Sequence, residues 1–286
     1  MRPTDMDIPD RRAAGARRES GAIEEAASGA MHVGSLEATD RPNQSAMVAP
    51  MPHLANPEPR RGLARAALGW SAVLLALTAV YLQSVAITGA SWVDGPTSPD
   101  LRVLGARIDA DIAEGEWHRL VVSMFLHADL AHLAINGLWL GLFGVTAARL
   151  GGLGQSLAGA LLAGVVGQFV SWAAWQGAGS VGASGAVMGL GALCGTAAWR
   201  LRHRLPAERR GPLALVLLLG GALLIIGPLG LEGVDHAAHL GGLAAGLALG
   251  ALPRRKWLDR AQAAVAGALL VASMVAWALA DGSPLR

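Results

Sequence analysis

Long uncharged stretches constrain this chain more than anything else in it. Residues 66–90 (AALGWSAVLLALTAVYLQSVAITGA) are followed by apolar runs near 129–148, 151–175, 183–199, 212–231, 236–252 and 259–280. A hydrocarbon layer of about 30 Å is crossed by ~20 apolar residues in a helix. The pattern therefore predicts seven spans, of which the fourth and sixth are short. Only 15% of the residues are charged, and they are segregated between the runs. The expected fold class is all-α, a polytopic membrane helix bundle.

The placement of charge orients that bundle. With the N-terminus in the cytoplasm, the inner connections hold Arg149, then Arg200, Arg202, Arg204, Arg209 and Arg210, then Arg254, Arg255, Lys256 and Arg260. The outer connections hold only Arg102, Arg107, Arg119 and Arg286 among many acidic residues. This is the positive-inside asymmetry. The basic excess, a net charge of +2, thus reports topology, and no nucleic-acid partner is expected. Residues 1–60 are rich in Arg, Glu, Pro, Ala and Gly without apolar periodicity and read as a disordered cytoplasmic tail. The first apolar run starts too late, and is too long, for a signal peptide. The arginine- and alanine-rich composition and short outer loops suit a bacterial inner membrane. Cys194, the only cysteine, falls within the fourth span, so no intrachain disulfide can form.

Polar side chains inside a bilayer cost free energy and point to function. Counting back from the first inner-face arginine of each span, Ser184 is sixteen residues from Arg200 and His239 fifteen from Arg254. His132 and Asn136 are seventeen and thirteen residues from Arg149. At about 1.5 Å per residue these four groups lie ~24, ~22, ~26 and ~20 Å above the inner boundary. Three helices thus deliver polar groups to one layer.

The azimuths agree. The sixth span, HAAHLGGLAAGLALG, sets Gly242, Gly246 and Gly250 four apart, a small-residue stripe that lets two helices approach closely. His239 lies on the stripe face, and His236 is less well aligned. The fourth span carries Ser184, Met188, Gly191 and Gly195 as a stripe of its own. Stripe packed on stripe brings the Ser184 hydroxyl within hydrogen-bond reach of the His239 ring. On the second span His132 and Asn136 are four apart and share a face, and both side chains donate hydrogen bonds. With the backbone N–H groups that open the fourth helix they form a candidate oxyanion site, favoured further by the helix N-terminus.

Four segments in order, GEWHRL at 115–120, HADLAHLAIN at 127–136, GASGA at 182–186 and AHLGGLAAG at 238–246, resemble the motifs of the rhomboid intramembrane serine proteases. The resemblance covers roughly 66–256. It maps the GxSG nucleophile to Ser184, flanked by Gly182 and Gly185, and the general base to His239. It maps the oxyanion donors to His132 and Asn136, and the tryptophan–arginine motif of the first outer loop to Trp117 and Arg119. His127 opens the second-helix pattern and is placed at the water entrance. The resemblance implies a six-helix catalytic core over 61–256, with 257–286 forming a seventh transmembrane helix and a short outer tail. It also implies cleavage of transmembrane protein substrates near their outer end, with entry past the fifth helix and the following loop. Two positions depart from the pattern. Met188 stands where family members often carry an aromatic residue that stacks on the histidine, and a thioether packs less rigidly. His118 separates Trp117 from Arg119 where an aromatic residue is common.

The expected chemistry is a serine–histidine dyad, since no acidic residue lies in the membrane layer to orient the imidazole. Neither a cofactor nor a metal is expected. Water must reach the layer, so a polar cavity open to the outer face is expected around His127, His132 and Asn136. Gln168 is assigned to packing, and Trp117 and Arg119 to holding the first outer loop. Three other readings compete. A zinc site would use His127, His132, His236 and His239, but no acidic or cysteine ligand is well placed at that depth. A catalytically silent, rhomboid-like protein that binds membrane clients would usually lack the serine or the histidine. A transporter would show broken helices and charged midplane residues, and neither is evident.

Overall fold

The structure, a computed structural model, describes residues 59–174, 179–204, 211, 214, 234–253 and 255–280. The expected fifth span at 212–231 and nearly all of the N-terminal tail lie outside the described residues. The helices in chain order are α1 (Pro59–Thr88), α2 (Ser98–Leu104), α3 (Asp109–Ala113), α4 (Arg119–Val122), α5 (Leu130–Gly151), α6 (Leu153–Ala173), α7 (Ser184–Leu201), α8 (His236–Ala251) and α9 (Lys256–Ala280). A single 3₁₀ turn, Ser123–Phe125, follows α4. Among the described residues extended pairing is limited to isolated bridges, Ser91 with Gly95 and Arg107 with Ser180. The chain is all-helical, as its apolar runs demand.

Among the described residues four stretches are long and apolar enough to cross a membrane: Gly62–Thr88, Leu130–Gly151, Leu153–Ala173 and Lys256–Leu279. They coincide with the first, second, third and seventh expected spans. Helices α7 and α8 have 18 and 16 residues, or ~27 and ~24 Å of rise, which falls short of the about 30 Å of a hydrocarbon core. Both pack inside the bundle. Leu190 and Cys194 of α7 are fully buried, and α8 lies against α7 and α6. Helix α1 leans on α5, and α9 on α6 and α4.

Local chemistry sets where the helices begin. The run TSPD at 97–100 starts α2 with a capping box, in which the Asp100 carboxylate accepts the Thr97 N–H at 3.0 Å. Gly105 then ends α2 at φ 107°, a left-handed conformation that glycine adopts without strain. Asp129 caps α5 by accepting the His132 N–H at 2.7 Å, and Asp235 caps α8 by accepting the Ala238 N–H at 2.9 Å. Each cap satisfies donors that a helix start leaves open.

The seam between α7 and α8 corrects one expectation. The α8 stripe of Gly242 and Gly246 meets Gly185 and Gly189, not Ser184 and Met188. A Cβ on Gly242 would run into the Gly185 carbonyl, and one on Gly246 into the Gly189 carbonyl. Gly191 faces the Phe143 ring of α5, 3.3 Å from where its Cβ would stand. The reason is steric, since two backbones can touch only where neither helix carries a Cβ. Ser184 sits one residue to the side of that seam. Arg200 of α7 then donates to the Gly250 carbonyl at 2.9 Å and closes the far end of α8.

If the seam holds the bundle, Gly242→Val is expected to destabilise the protein by about 1–3 kcal/mol through overpacking. Denaturant titration in detergent micelles measures this, and wild-type stability in the variant would contradict the close approach.

Candidate active site

Ser184 is the first residue of α7, and the N-cap residue Ala183 provides no side-chain cap. The first N–H groups of α7, beginning at the serine, therefore have no intrahelical partner. The preceding Gly182 has φ 108°, and a Cβ there would lie 2.6 Å from His132 Cε1 and 3.5 Å from Asn136 Nδ2. Only glycine fits this turn and this gap together. The Gly182 N–H donates to the Ser123 carbonyl at 2.9 Å. The strand of chain leading to Ser184 is thus pinned directly against the two side chains of α5.

His239 lies in the first turn of α8, where its N–H donates to the Asp235 carbonyl at 3.1 Å. A Cβ on Gly185 would stand 3.3 Å from the Ala238 carbonyl. The residue after the serine therefore touches the residue before the histidine. Both Ser184 and His239 are half-buried, and His132 is near enough to act electrostatically on His239. No hydrogen bond joins the Ser184 hydroxyl to the His239 ring among the described residues; such bonds are often slack without substrate. His239 Nδ1 and Asn136 Nδ2 are buried with no hydrogen-bond partner among the described residues. Met188 is buried on α7.

His127 precedes α5 and is 1% exposed, with its ring edge-on to His132 at 5.2 Å. Burial pushes its pKa from 6.5 down to about 4, and the neighbouring His132 adds to the fall. The Phe125 backbone and the Asp129 carboxylate oppose that shift. His127 is thus held neutral beside His132. His236 is exposed, and among the described residues no three His, Cys, Asp or Glu side chains converge as metal ligands.

The loop region between α1 and α5 is stitched by Arg119. Its guanidinium donates to the carbonyls of Arg102 at 2.6 Å and Ala106 at 3.0 Å, and it pairs with Glu116 and Asp111. Trp117 is half exposed and meets Trp172 edge-on at 5.0 Å. Gln168 is buried, with its amide 3.5 Å from the Ser180 hydroxyl. One group close to the site escaped the sequence reading. Arg107, Ser171 and Asp235 lie just behind it and are joined to one another. The available signal was Asp235 itself, an acidic residue directly before an apolar run and so a helix cap. Its burial alone would raise the carboxyl pKa. Hydrogen bonds from Ser171, the Ala238 N–H and Ser180, with the Arg107 charge, bring it below its ordinary value instead.

Apolar helices of membrane-spanning length, with a serine and a histidine in the first turns of two adjacent helices, define a membrane-embedded helical bundle. Residues 114–256 match the Rhomboid domain family. The chain is 34% identical over 155 residues to the rhomboid protease GluP of Bacillus subtilis, covering 53% of this chain and 29% of that one. It is 32% identical over 212 residues to the rhomboid protease AarA of Providencia stuartii, covering 65% of this chain and 74% of that one. Against RHOMBOID-like protein 6, mitochondrial, of Arabidopsis thaliana it is 35% identical over 161 residues, 54% of this chain and 50% of that one. The chain belongs to the rhomboid family, whose named relatives here include proteases, and it is an integral membrane protein.

His127 provides a pH test. Its folded pKa lies below its unfolded one, so its contribution to stability is complete above pH 6.5 and is lost as pH falls toward 4. The slope reaches at most about 1.4 kcal/mol per pH unit. Unfolding midpoints measured across this window in detergent are expected to fall more shallowly for His127→Asn than for wild type. Parallel slopes would contradict a neutral, buried ring.

Proposed function

We propose that the protein is an intramembrane serine endopeptidase that cleaves transmembrane protein substrates with Ser184 and His239. The observation that carries this reading is the meeting of Gly185 with Ala238, which brings the N-terminal turns of α7 and α8 side by side. The contact of Gly182 with His132 and Asn136 supports it from the third side. In this mechanism His239 takes the Ser184 proton as Oγ attacks the scissile carbonyl carbon. The oxyanion that forms is met by the α7 N–H groups, His132 and the unspent Asn136 amide. As the tetrahedral intermediate collapses, the C–N bond breaks and His239 passes the proton to the leaving amine. Water, activated by the same ring, then releases the acyl group from Ser184. His239 works as half of a dyad, because the Asp235 carboxylate is engaged by Ser171 and the Ala238 N–H.

The same reading extends to architecture and place. Six helices form the catalytic core over 61–256, and α9 is a seventh span added at 257–286. The positive-inside pattern sets the N-terminus in the cytoplasm and the site near the outer face of a bacterial inner membrane. Substrates enter beside the fifth span. The second reading is a catalytically silent, rhomboid-like protein that binds membrane clients.

A fluorophosphonate probe separates the two. Wild-type protein is expected to be labelled, Ser184→Ala not at all, and His239→Ala only weakly. His132→Ala and Asn136→Ala should each slow cleavage of a transmembrane substrate by about 10²–10³-fold if they stabilise the oxyanion. A chelator should change nothing. Cleavage retained by Ser184→Ala would overturn the proposal.

A further inference from the structure

Arg107 has a role that neither the dyad nor the oxyanion site describes. It lies in the outer loop between α2 and α3, yet its side chain is 1% exposed. Its backbone pairs in both directions with Ser180, Arg107 N to Ser180 O at 3.1 Å and Ser180 N to Arg107 O at 2.8 Å. Ser180 stands four residues before Ser184. The guanidinium turns the other way. It pairs with Asp109, donates to Ser171 Oγ at 3.0 Å and reaches Asp235 Oδ2 at 3.4 Å. Ser171 completes the circuit by donating to the same Asp235 oxygen at 2.6 Å. Asp235 stands four residues before His239 and holds that residue's N–H on its own carbonyl.

We propose that Arg107 is a positioning residue, which sets the spacing of Ser184 and His239 by clasping Ser180 with its backbone and Asp235 with its guanidinium. The inference rests on the peptidase reading above. A buried guanidinium costs several kcal/mol unless its donors are spent on well-placed acceptors, so an arginine buried here without a surface role calls for explanation. Its planar fork suits the task, because it serves several acceptors in a fixed geometry that a lysine ammonium cannot copy. Arg107 is itself distant in sequence from the acid it holds, 128 residues separating it from Asp235. Besides the clasp, the two segments are coupled by the Ser180–Asp235 hydrogen bond and by the glycine seam, which fixes the helices but not the turns that precede them. Misplacing a nucleophile and its base by about 1 Å costs as much as ~10²-fold in rate. A residue that touches neither reacting atom can therefore govern the rate.

The test compares Arg107→Met, Arg107→Lys and Asp235→Asn with wild type in full-length, detergent-solubilised protein. The asparagine of Asp235→Asn keeps the helix cap through its amide oxygen, and it removes the charge and the second oxygen that accepts from Ser171 and Arg107. Fluorophosphonate labelling per folded molecule is expected to slow about tenfold or more in Arg107→Met and Asp235→Asn. kcat on a transmembrane substrate should fall in step while KM stays within about twofold, since interactions lost only in the reacting geometry lower kcat. Arg107→Lys, which keeps the charge and the backbone clasp, should recover part of the loss. Labelling at the wild-type rate in both Arg107→Met and Asp235→Asn would overturn the proposal, because a purely structural residue lowers only the folded fraction. Should Arg107→Met fail to fold, Ser171→Ala removes the bridging hydroxyl alone, with about threefold slower labelling expected and an unchanged rate overturning the clasp. Amide hydrogen exchange keeps the two proposals apart. If wild type is not labelled, the peptidase reading falls, while faster exchange at 180–186 and 234–240 together in Arg107→Met still supports the clasp. Unchanged exchange at those segments overturns it.

Discussion

Everything in this bundle depends on backbones that touch. In a bilayer the hydrophobic effect does not drive one apolar helix onto another, so association comes from close packing and hydrogen bonds. Here Gly242 and Gly246 of α8 rest on the carbonyls of Gly185 and Gly189 of α7. At the same seam, a Cβ at Gly167 of α6 would stand 2.6 Å from the Ala238 carbonyl, which Gly185 of α7 also faces. Three helices therefore meet with almost no side chain between them. The separation of α7 and α8 is set by peptide groups, which have no rotamers to relax. This rigidity brings residues that polar chemistry needs to within a residue of the contact.

Around that seam the polar layer is assembled from helix starts. Asp129 caps α5 about two turns ahead of Asn136, Asp235 caps α8 a turn ahead of His239, and α7 opens on Ser184 without a side-chain cap. Each start brings irregular backbone to a depth where unpaired peptide groups are costly. The structure answers with specific pairings: Gly182 with Ser123, and Arg107 with Ser180 in both directions. Arg119 does the same for the outer loop by taking the carbonyls of Arg102 and Ala106. Buried arginine thus serves as a supply of donors as much as a charge.

Much of this was legible in the chain. Hydropathy alone places α1, α5, α6 and α9, and the small-residue periodicity of α8 names its packing face correctly. The start of α7 falls at Ser184, one residue from the apolar boundary at 183. The partner stripe on α7 was not legible, because that helix carries small residues on two faces. Periodicity cannot tell which of them meets α8 and which admits the Phe143 ring of α5. The Arg107 cluster was missed for a different reason. Reading loop charges as a topology signal pools them, and it hides the one arginine that folds back into the protein. The short outer-loop helices were also passed over, although TSPD at 97–100 carries a recognisable start signal.

Helix α9 changes the surroundings of that outer loop. Trp277 sits over the turn at Gly105, 3.4 Å from where a Cβ would be, and α9 runs along α6 and α4. A loop that would otherwise border acyl chains is backed by protein on this flank. On that flank α9 stands as a layer one helix thick between the loop and whatever lies beyond it.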